Sequence, residues 1–321
     1  MAEQYIYAVA RIRSRELGLL SESFIDQLLQ AEDEAQCRRL LAEKGWASPE
    51  TDSEAMLSAE KEKTWDLIRE LVPDDIDKFD VFLLSADYHN LKAAVKESCI
   101  AGEHPGIFVG DGTVPASKLL EAAESSDFSE IPGEMREVAA RAKELLLTTQ
   151  DGQLCDCVID RAALMRIREA GKASGEQLLA DYGELICATG DIKIAVRAAQ
   201  TGKNRQFLEE ALAPCDTLDL EELTAAALTG PDAVCAYLDR TRYAEAAQEL
   251  KKSTASFERW CDNALIRSVK PQIHNPFGIG PLAAYILARE NEIKTVRIIL
   301  AAKRNQLSEE AIRERVREMY V

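Results

Sequence analysis

The feature that most constrains this chain is a repeat with a period of about 100 residues. The heptapeptide NLKAAVK at residues 90–96 returns as DIKIAVR at residues 191–197, a step of 101 residues. Residues 195–212 then match residues 295–312 at an offset of 100, with seven identities in eighteen positions. Stacked solenoid repeats have periods of roughly 20 to 50 residues. The longer period therefore indicates three homologous bundles within one chain.

The repeat also predicts where the bundles begin and end. We expect the helices that contain Lys92, Lys193 and Lys294 to superpose by rotation about one pseudo-threefold axis. The predicted bundles are residues 1–110 with an N-terminal helix, residues 111–212, and residues 213–321 with a C-terminal helix.

Composition favours an all-α fold. Apolar residues make up 46 % of the 321 and charged residues 30 %, whereas aromatics are only 6 %, a balance typical of helices rather than sheets. The net charge of −17 opposes attraction to nucleic acid or to an anionic membrane. No apolar run approaches the roughly 18 to 20 residues of a membrane span, and the first residues lack the pattern of a secretory signal. We therefore expect a cytoplasmic protein.

Capping and breaking residues predict the local helices. Ser23 and Asp33 are candidate N-caps of two short helices, and Ser308 is the candidate N-cap of the last helix. A long helix is predicted over residues 77–101. The segment NPFGIGP at residues 275–281 must interrupt any helix in the third bundle.

Charge is distributed unevenly along the chain. The two ends are mildly basic while the middle is acidic. The last helix, after its cap, has two glutamates in its first turn and three arginines later, which matches the helix dipole. These basic ends are either ordinary salt-bridged helix faces or a charge-selective contact surface. Their arginines are Arg11, Arg13, Arg313, Arg315 and Arg317.

Candidate catalytic patterns are weak. The acidic run DDIDKFD at residues 74–80 suggests a magnesium-dependent helical enzyme, but acidic residues are ordinary capping partners at a helix start, and no second acidic motif accompanies them. The glycine–lysine segments at residues 171–174 and 202–204 lack the remaining features of a phosphate-binding loop, so we expect helix ends there. Cys155 and Cys157 are one half of a metal site at most, because a closed zinc site needs four ligands.

Two segments carry a resemblance to a known family. The opening YIYAVARIR at residues 5–13, with the leucine-rich stretch that leads to EKGW at residues 43–46, resembles the start of the C subunit of prokaryotic V/A-type ATPases, the relative of the d subunit of eukaryotic V-ATPases. The segment NPFG at residues 275–278, continued by PLAAYILARENEIK at residues 281–294 and VRIIL at residues 296–300, is similar to the C-terminal signature of that family. The resemblance covers essentially the whole chain.

The resemblance implies an all-helical, funnel-like subunit of three similar bundles. Such subunits sit on the cytoplasmic face of the membrane rotor ring, hold the central shaft, and transmit torque during H⁺ or Na⁺ transport, with no active site and no cofactor, metal or nucleotide of their own. It also implies two partners, the proteolipid ring and the central shaft, and we expect the five arginines named above to lie close together and to contact one of them. Two alternatives remain, a helical adaptor and, less favoured, a magnesium-dependent all-α enzyme.

Overall fold

The computed structural model describes residues 5–99, 107–110 and 112–321, and this part of the chain is helical without any strand. The predicted all-α class is therefore confirmed. Its α-helices are α1 (Ile6–Glu16), α2 (Glu22–Gln30), α3 (Glu34–Glu43), α4 (Ser53–Leu71), α5 (Leu84–Cys99), α6 (Ala116–Ser125), α7 (Gly133–Thr149), α8 (Gly152–Ala173), α9 (Gln177–Thr201), α10 (Arg205–Ala211), α11 (Leu220–Thr229), α12 (Pro231–Leu238), α13 (Ala244–Lys252), α14 (Thr254–Val269), α15 (Gly280–Arg304) and α16 (Glu309–Arg313). Two 3₁₀ segments, Pro73–Phe82 and Lys270–His274, complete the set.

Contacts divide the chain into two compact units. Unit 1 combines the residues up to 76 with residues 248–321, and unit 2 is residues 77–247. Both predicted bundle boundaries, after residues 110 and 212, fall within unit 2. The division into three bundles stays a prediction.

Unit 1 is built from the two ends of the chain around α15. Leu28 and Leu29 of α2 share a core with Val296 and Ile299 of α15, and Met319 near the C-terminus is buried in the same core. Of the 25 residues of α15, 17 are buried. Sequence-distant segments therefore close this unit.

Unit 2 contains two close packing arrangements. In the first, Leu91 and Val95 of α5 share a core with Leu119 of α6 and with residues of α7 and α8. In the second, α8 and α9 form an antiparallel hairpin whose backbones approach closely at glycines. A Cβ atom on Gly183 would lie 2.9 Å from the Cα of Arg168.

Three buried polar side chains stand at intervals of 101 residues in the long helices, and each occupies the same kind of position. They are Asn90 in α5, Asp191 in α9 and Glu292 in α15. Each accepts a hydrogen bond from the backbone N–H of a segment that leads into a short helix. The donors are Val109 before α6 (2.9 Å), Ala213 before α11 (2.8 Å) and Leu20 before α2. This shared contact supports the repeat, and in unit 1 the segment that completes it comes from the start of the chain.

Most local predictions are confirmed, with two corrections. Asp33 and Ser308 cap α3 and α16 as predicted. The cap of α2, however, is Ser21 rather than Ser23, because the hydroxyl of Ser21 accepts the N–H of Phe24. The last α-helix ends at Arg313, so two of the three arginines assigned to it lie in the non-helical segment that follows.

The prediction of a long helix over residues 77–101 was wrong about where the helix begins. Residues as far as Phe82 form the 3₁₀ segment, and α5 begins only at Leu84. Aspartates three residues apart, Asp74, Asp77 and Asp80, account for this, because like charges at that spacing and the low helix propensity of Asp both disfavour an α-helix. The predicted end of the helix lies outside the described residues.

Candidate partner-binding surface

The C-terminal segment of unit 1 is fixed by hydrogen bonds on both sides. The backbone N–H of Glu318 donates to the side-chain oxygen of Asn263 (2.9 Å), and the amide of Asn291 donates to the Glu318 carbonyl (2.9 Å). Lys270 donates to the Met319 carbonyl at 3.1 Å. A segment without regular structure is thereby held against α14 and α15.

The α1 arginines have different environments. Arg13 donates to the backbone carbonyls of Gln272 (2.5 Å) and Asn275 (2.7 Å) and pairs with Glu16 (2.6 Å). It therefore fastens α1 to the loop before α15. Arg11 is more exposed and reaches Glu70 at 3.4 Å.

The three C-terminal arginines differ in how much they offer a partner. Arg313 is exposed and pairs with Asp26 (2.7 Å) and Glu309 (2.9 Å), which raise the pKa of its guanidinium. The side chain of Arg317 is only 8 % exposed and pairs with Asp262 at 2.9 Å. Arg315 is exposed, and its backbone carbonyl accepts a hydrogen bond from Arg317. Arg317 is thus a structural residue of unit 1, whereas the other two face solvent.

The structure brings some of the predicted arginines together. Arg313 and Arg317 line one cleft of about 420 Å³ together with Trp260. Tyr320 is buried in the same C-terminal segment, and Glu16 and Arg13 of α1 are the charged groups that act on its phenol. Burial raises the pKa of this phenol to about 12. The chain ends therefore share one unit, and a direct contact among all five arginines stays a prediction.

Sequence reasoning missed the exposed apolar residues of this region. Leu17, at the end of α1, is 89 % exposed, and Tyr7 and Phe277 are more than half exposed. Leu17 follows Arg13 by four residues and so lies on the same helix face, while Phe277 follows Asn275, whose carbonyl Arg13 binds. The sequence did contain a signal for the exposure of Leu17, because this residue lies outside the helical stripe of buried α1 residues, Ala8, Val9 and Ile12. Leu17 and Phe277 are therefore exposed apolar side chains close in sequence to the contact between α1 and the loop before α15.

A closed ion network lies inside unit 1. Arg289 of α15 pairs with both Glu60 and Glu292, and its guanidinium lies 5.3 Å from the centre of the Trp46 ring. Burial raises the pKa of Glu292 to about 7, while Arg289 and the N–H of Leu20 act in the opposite direction. Every charge in this network has a partner, as buried charges generally do.

The patterns that suggested enzymatic chemistry have structural roles. Asp75 of the acidic run accepts a hydrogen bond from the Tyr5 hydroxyl at 2.8 Å. Gly202 ends α9 in a left-handed conformation (φ 65°), and Lys172 stands in the last turn of α8, so both glycine–lysine segments are helix ends as predicted. Among the described residues, no three His, Cys, Asp or Glu side chains are grouped so that they can hold a metal ion.

Within the same part of the chain, no helix combines the length and apolar character needed to cross a membrane.

Comparison with known proteins identifies the family. Residues 8–315 match the ATP synthase (C/AC39) subunit family. Similar proteins include the C subunit of the V-type sodium ATPase of Enterococcus hirae, which is 23 % identical over 96 % of this chain and 97 % of its own length. The C subunit of the V-type ATP synthase of Thermus thermophilus is 25 % identical over 95 % of both chains. The C subunit of the A-type ATP synthase of Methanocaldococcus jannaschii is 24 % identical over 96 % of this chain and 85 % of its own. The chain therefore belongs to the ATP synthase (C/AC39) subunit family, as a structural, non-catalytic subunit of a V/A-type ATPase.

Proposed function

We propose that this chain is the central-stalk subunit that couples the membrane rotor ring to the central shaft of a V/A-type ATPase. It turns with the rotor on the cytoplasmic face of the membrane and transmits torque during H⁺ or Na⁺ transport. The energy comes from nucleotide-binding subunits on other chains.

The observation that carries this proposal is a set of exposed arginines and apolar side chains in unit 1. Both chain ends contribute to it, and internal hydrogen bonds through Arg13, Asn263 and Asn291 hold them in place. A part that transmits torque needs attachment at several fixed points, because a single flexible contact would twist under load. Fixed chain ends with exposed arginines and apolar side chains meet that need.

The attachment surface is proposed to include Arg11, Arg313 and Arg315, with Leu17 and Phe277 as apolar contacts. Arg13 and Arg317 contribute by holding this surface together, since both are engaged within unit 1. Although the chain carries a net charge of −17, these arginines give unit 1 local positive charge that can pair with acidic groups on a ring or shaft.

The test is reconstitution of the complex with a double variant, Arg313→Glu with Arg315→Glu. Each exposed pair contributes only about 0 to 1 kcal/mol, so a double reversal is needed for a measurable effect. We expect weaker assembly with membrane rings at low salt and a smaller dependence of the remaining binding on salt. Arg317 is left intact because its reversal would disrupt the Asp262 pair.

A matched control reverses two exposed arginines of unit 2, Arg205→Glu with Arg240→Glu. It changes the net charge equally and should assemble like the wild type. If the two double variants assemble equally well at low and moderate salt, the C-terminal arginines are merely a solvated face.

A further inference from the structure

We propose that Cys187 and Cys215 in unit 2 are a modification site at which a hydroperoxide forms a disulfide bond. The site lies where the loop between α10 and α11 runs along α9.

The loop is fastened to α9 on both sides of Cys215. Before it, the N–H of Ala213 donates to Asp191 at 2.8 Å. After it, the N–H groups of Asp216 (2.7 Å) and Thr217 (2.8 Å) donate to one oxygen of Glu184. As the loop advances from residue 213 to residue 217, its anchors on α9 therefore step back from residue 191 to residue 184.

This antiparallel course places Cys215 opposite Cys187, which lies between the two anchors. The sulfur of Cys187 is 3.7 Å from the carbonyl oxygen of Pro214, the residue before Cys215, and 3.9 Å from the carbonyl oxygen of Ala213. A disulfide between Cys187 and Cys215 would join the loop directly to α9.

Additional charges keep the loop in this position. Arg168 of α8 pairs with Asp216 and with Glu184 (2.7 Å), and Lys172 pairs with Asp216 at 2.6 Å. The loop and α9 thus share the same cation, which limits the freedom of Cys215 to move away from its partner.

The two thiols have different access to solvent. Cys187 is fully buried, whereas Cys215 is half-buried between the exposed residues Pro214 and Asp216. An oxidant from solution therefore reaches Cys215 first, and Cys187 is the internal thiol that resolves the product.

The electrostatic setting favours a reactive Cys215. The hydrogen bond from Cys187 lowers the pKa of Cys215 to about 7, and the N–H groups of Leu218 and Thr217 act in the same direction, against burial and the Glu184 carboxylate. The same bond, together with burial, raises the pKa of Cys187. Only a thiolate is an efficient nucleophile, so Cys215 is the attacking group.

Other thiols of the chain are less suited to this role. Burial raises the pKa of Cys37, Cys155 and Cys157 to about 11. Cys157 is half-buried like Cys215, which makes it the matched control for accessibility.

The reaction proceeds in two steps. The Cys215 thiolate attacks one oxygen of hydrogen peroxide, the O–O bond breaks, and the departing hydroxide takes up a proton to leave as water, which gives a sulfenic acid. The sulfur of Cys187 then attacks the sulfenic sulfur, the S–O bond breaks, and a second water leaves with the Cys187 proton. Two thiols lose two electrons, and one peroxide becomes two waters.

The test treats the full chain with hydrogen peroxide and maps the products by mass spectrometry of peptides. We expect a cross-linked peptide pair containing Cys187 and Cys215, reversed by dithiothreitol, and absent in Cys187→Ser and Cys215→Ser. In a separate assay at neutral pH, iodoacetamide should alkylate Cys215 about ten-fold or more faster than Cys157. The variant Cys157→Ser should leave the cross-link unchanged.

Three outcomes would overturn the proposal. The first is peroxide treatment that yields no linkage between these two residues. The second is accumulation of Cys215 as sulfinic acid while Cys187 stays a free thiol. The third is alkylation of Cys215 no faster than that of Cys157. If Cys187→Ser fails to fold, Cys215→Ser and the alkylation rates still decide the question, because Cys215 is on the loop and partly exposed.

Discussion

Helices α9 and α15 are the long helices of unit 2 and unit 1, and both are 25 residues long. They share the repeated sequence and the buried polar residue at the 101-residue spacing, yet their surroundings differ. In α15, Glu292 belongs to an ion network completed by Arg289 and Glu60. In α9, one oxygen of Asp191 has no N–H or O–H donor among the described residues, and the Cys215 thiol is the group beside it.

The comparison shows that a repeat can preserve a backbone contact while changing its chemistry. Both side chains hold the segment that leads into a short helix, through Leu20 in one unit and Ala213 in the other. Unit 1 pairs its buried carboxylate directly with an arginine, whereas in unit 2 burial outweighs the more distant Arg161 and favours the neutral acid. Replacing the charged groups should therefore have opposite effects in the two units.

The largest effect is expected from Arg289→Met in unit 1. The substitution leaves Glu292 buried without its cation and leaves Glu60 to its pair with the exposed Lys63. Breaking a buried pair in this way costs roughly 3 to 5 kcal/mol. Urea unfolding measures the loss. Arg297→Met on the same helix is the control, since Arg297 is half exposed and its pair with Glu54 should contribute about 0 to 1 kcal/mol. Equal stabilities of the two variants would show that the network is dispensable.

A smaller effect is expected from Gly183→Ala in unit 2. The new Cβ would lie 2.9 Å from the backbone of α8 at Arg168 and Ile167, and overpacking of this kind costs about 1 to 3 kcal/mol. The position 101 residues later in α15 is Ala284, which is fully buried, so the repeat accepts alanine at this position in unit 1.

The control for this prediction is Gly152→Ala at the start of α8, where an added Cβ meets nothing within 4 Å. Its free energy of unfolding should stay within about 0.5 kcal/mol of the wild type. A Gly183→Ala protein as stable as this control would mean that α8 and α9 can separate slightly without loss.

The smallest change in stability is expected where the buried carboxylate of each unit is replaced by its amide. This substitution is predicted to act in opposite directions in unit 2 and unit 1. Burial raises the pKa of Asp191 from its ordinary 3.8 to about 8. The folded state then binds a proton that the unfolded state releases, so this group lowers stability as pH rises from about 4 to about 8. Asp191→Asn keeps an oxygen for the N–H of Ala213 and removes the charge. We expect a gain of about 1 kcal/mol at pH 8 that shrinks towards pH 4.

In unit 1, burial also raises the pKa of Glu292, to about 7, but this side chain pairs directly with the buried Arg289. Breaking a buried pair by neutralising one partner is destabilising, so we expect the corresponding substitution Glu292→Gln to destabilise the protein at neutral pH. Thermal unfolding of both variants between pH 4 and pH 8 measures the two effects. If both substitutions changed the stability in the same direction, the distinction between Asp191 and Glu292 would be wrong.

The sequence predicted what depends on local or repeated patterns. The helical class followed from composition, and the caps at Asp33 and Ser308 followed from side chains that bond their own backbone neighbours. The end of α9 at Gly202 followed from the freedom of glycine to adopt a left-handed conformation. The family resemblance rested on the two chain ends, which the family match includes from residue 8 to residue 315. The contacts of the five arginines were predictable only where the partner is a helix neighbour, as Glu16 is for Arg13 and Glu309 is for Arg313. Partners such as Glu70, Gln272 and Asp262 lie far away in sequence and were not predictable.

By itself, then, the sequence determined the helical elements, the 101-residue repeat and the family, since these depend on neighbours along the chain and on patterns that recur in it. Only the tertiary structure decided that both chain ends complete one unit around α15, that Arg317 is held by Asp262 while Arg315 faces solvent, and that Cys215 meets Cys187. These features depend on which distant groups are brought within hydrogen-bonding range and which are removed from water. The charge and type of a residue alone specify neither its distant partner nor its burial.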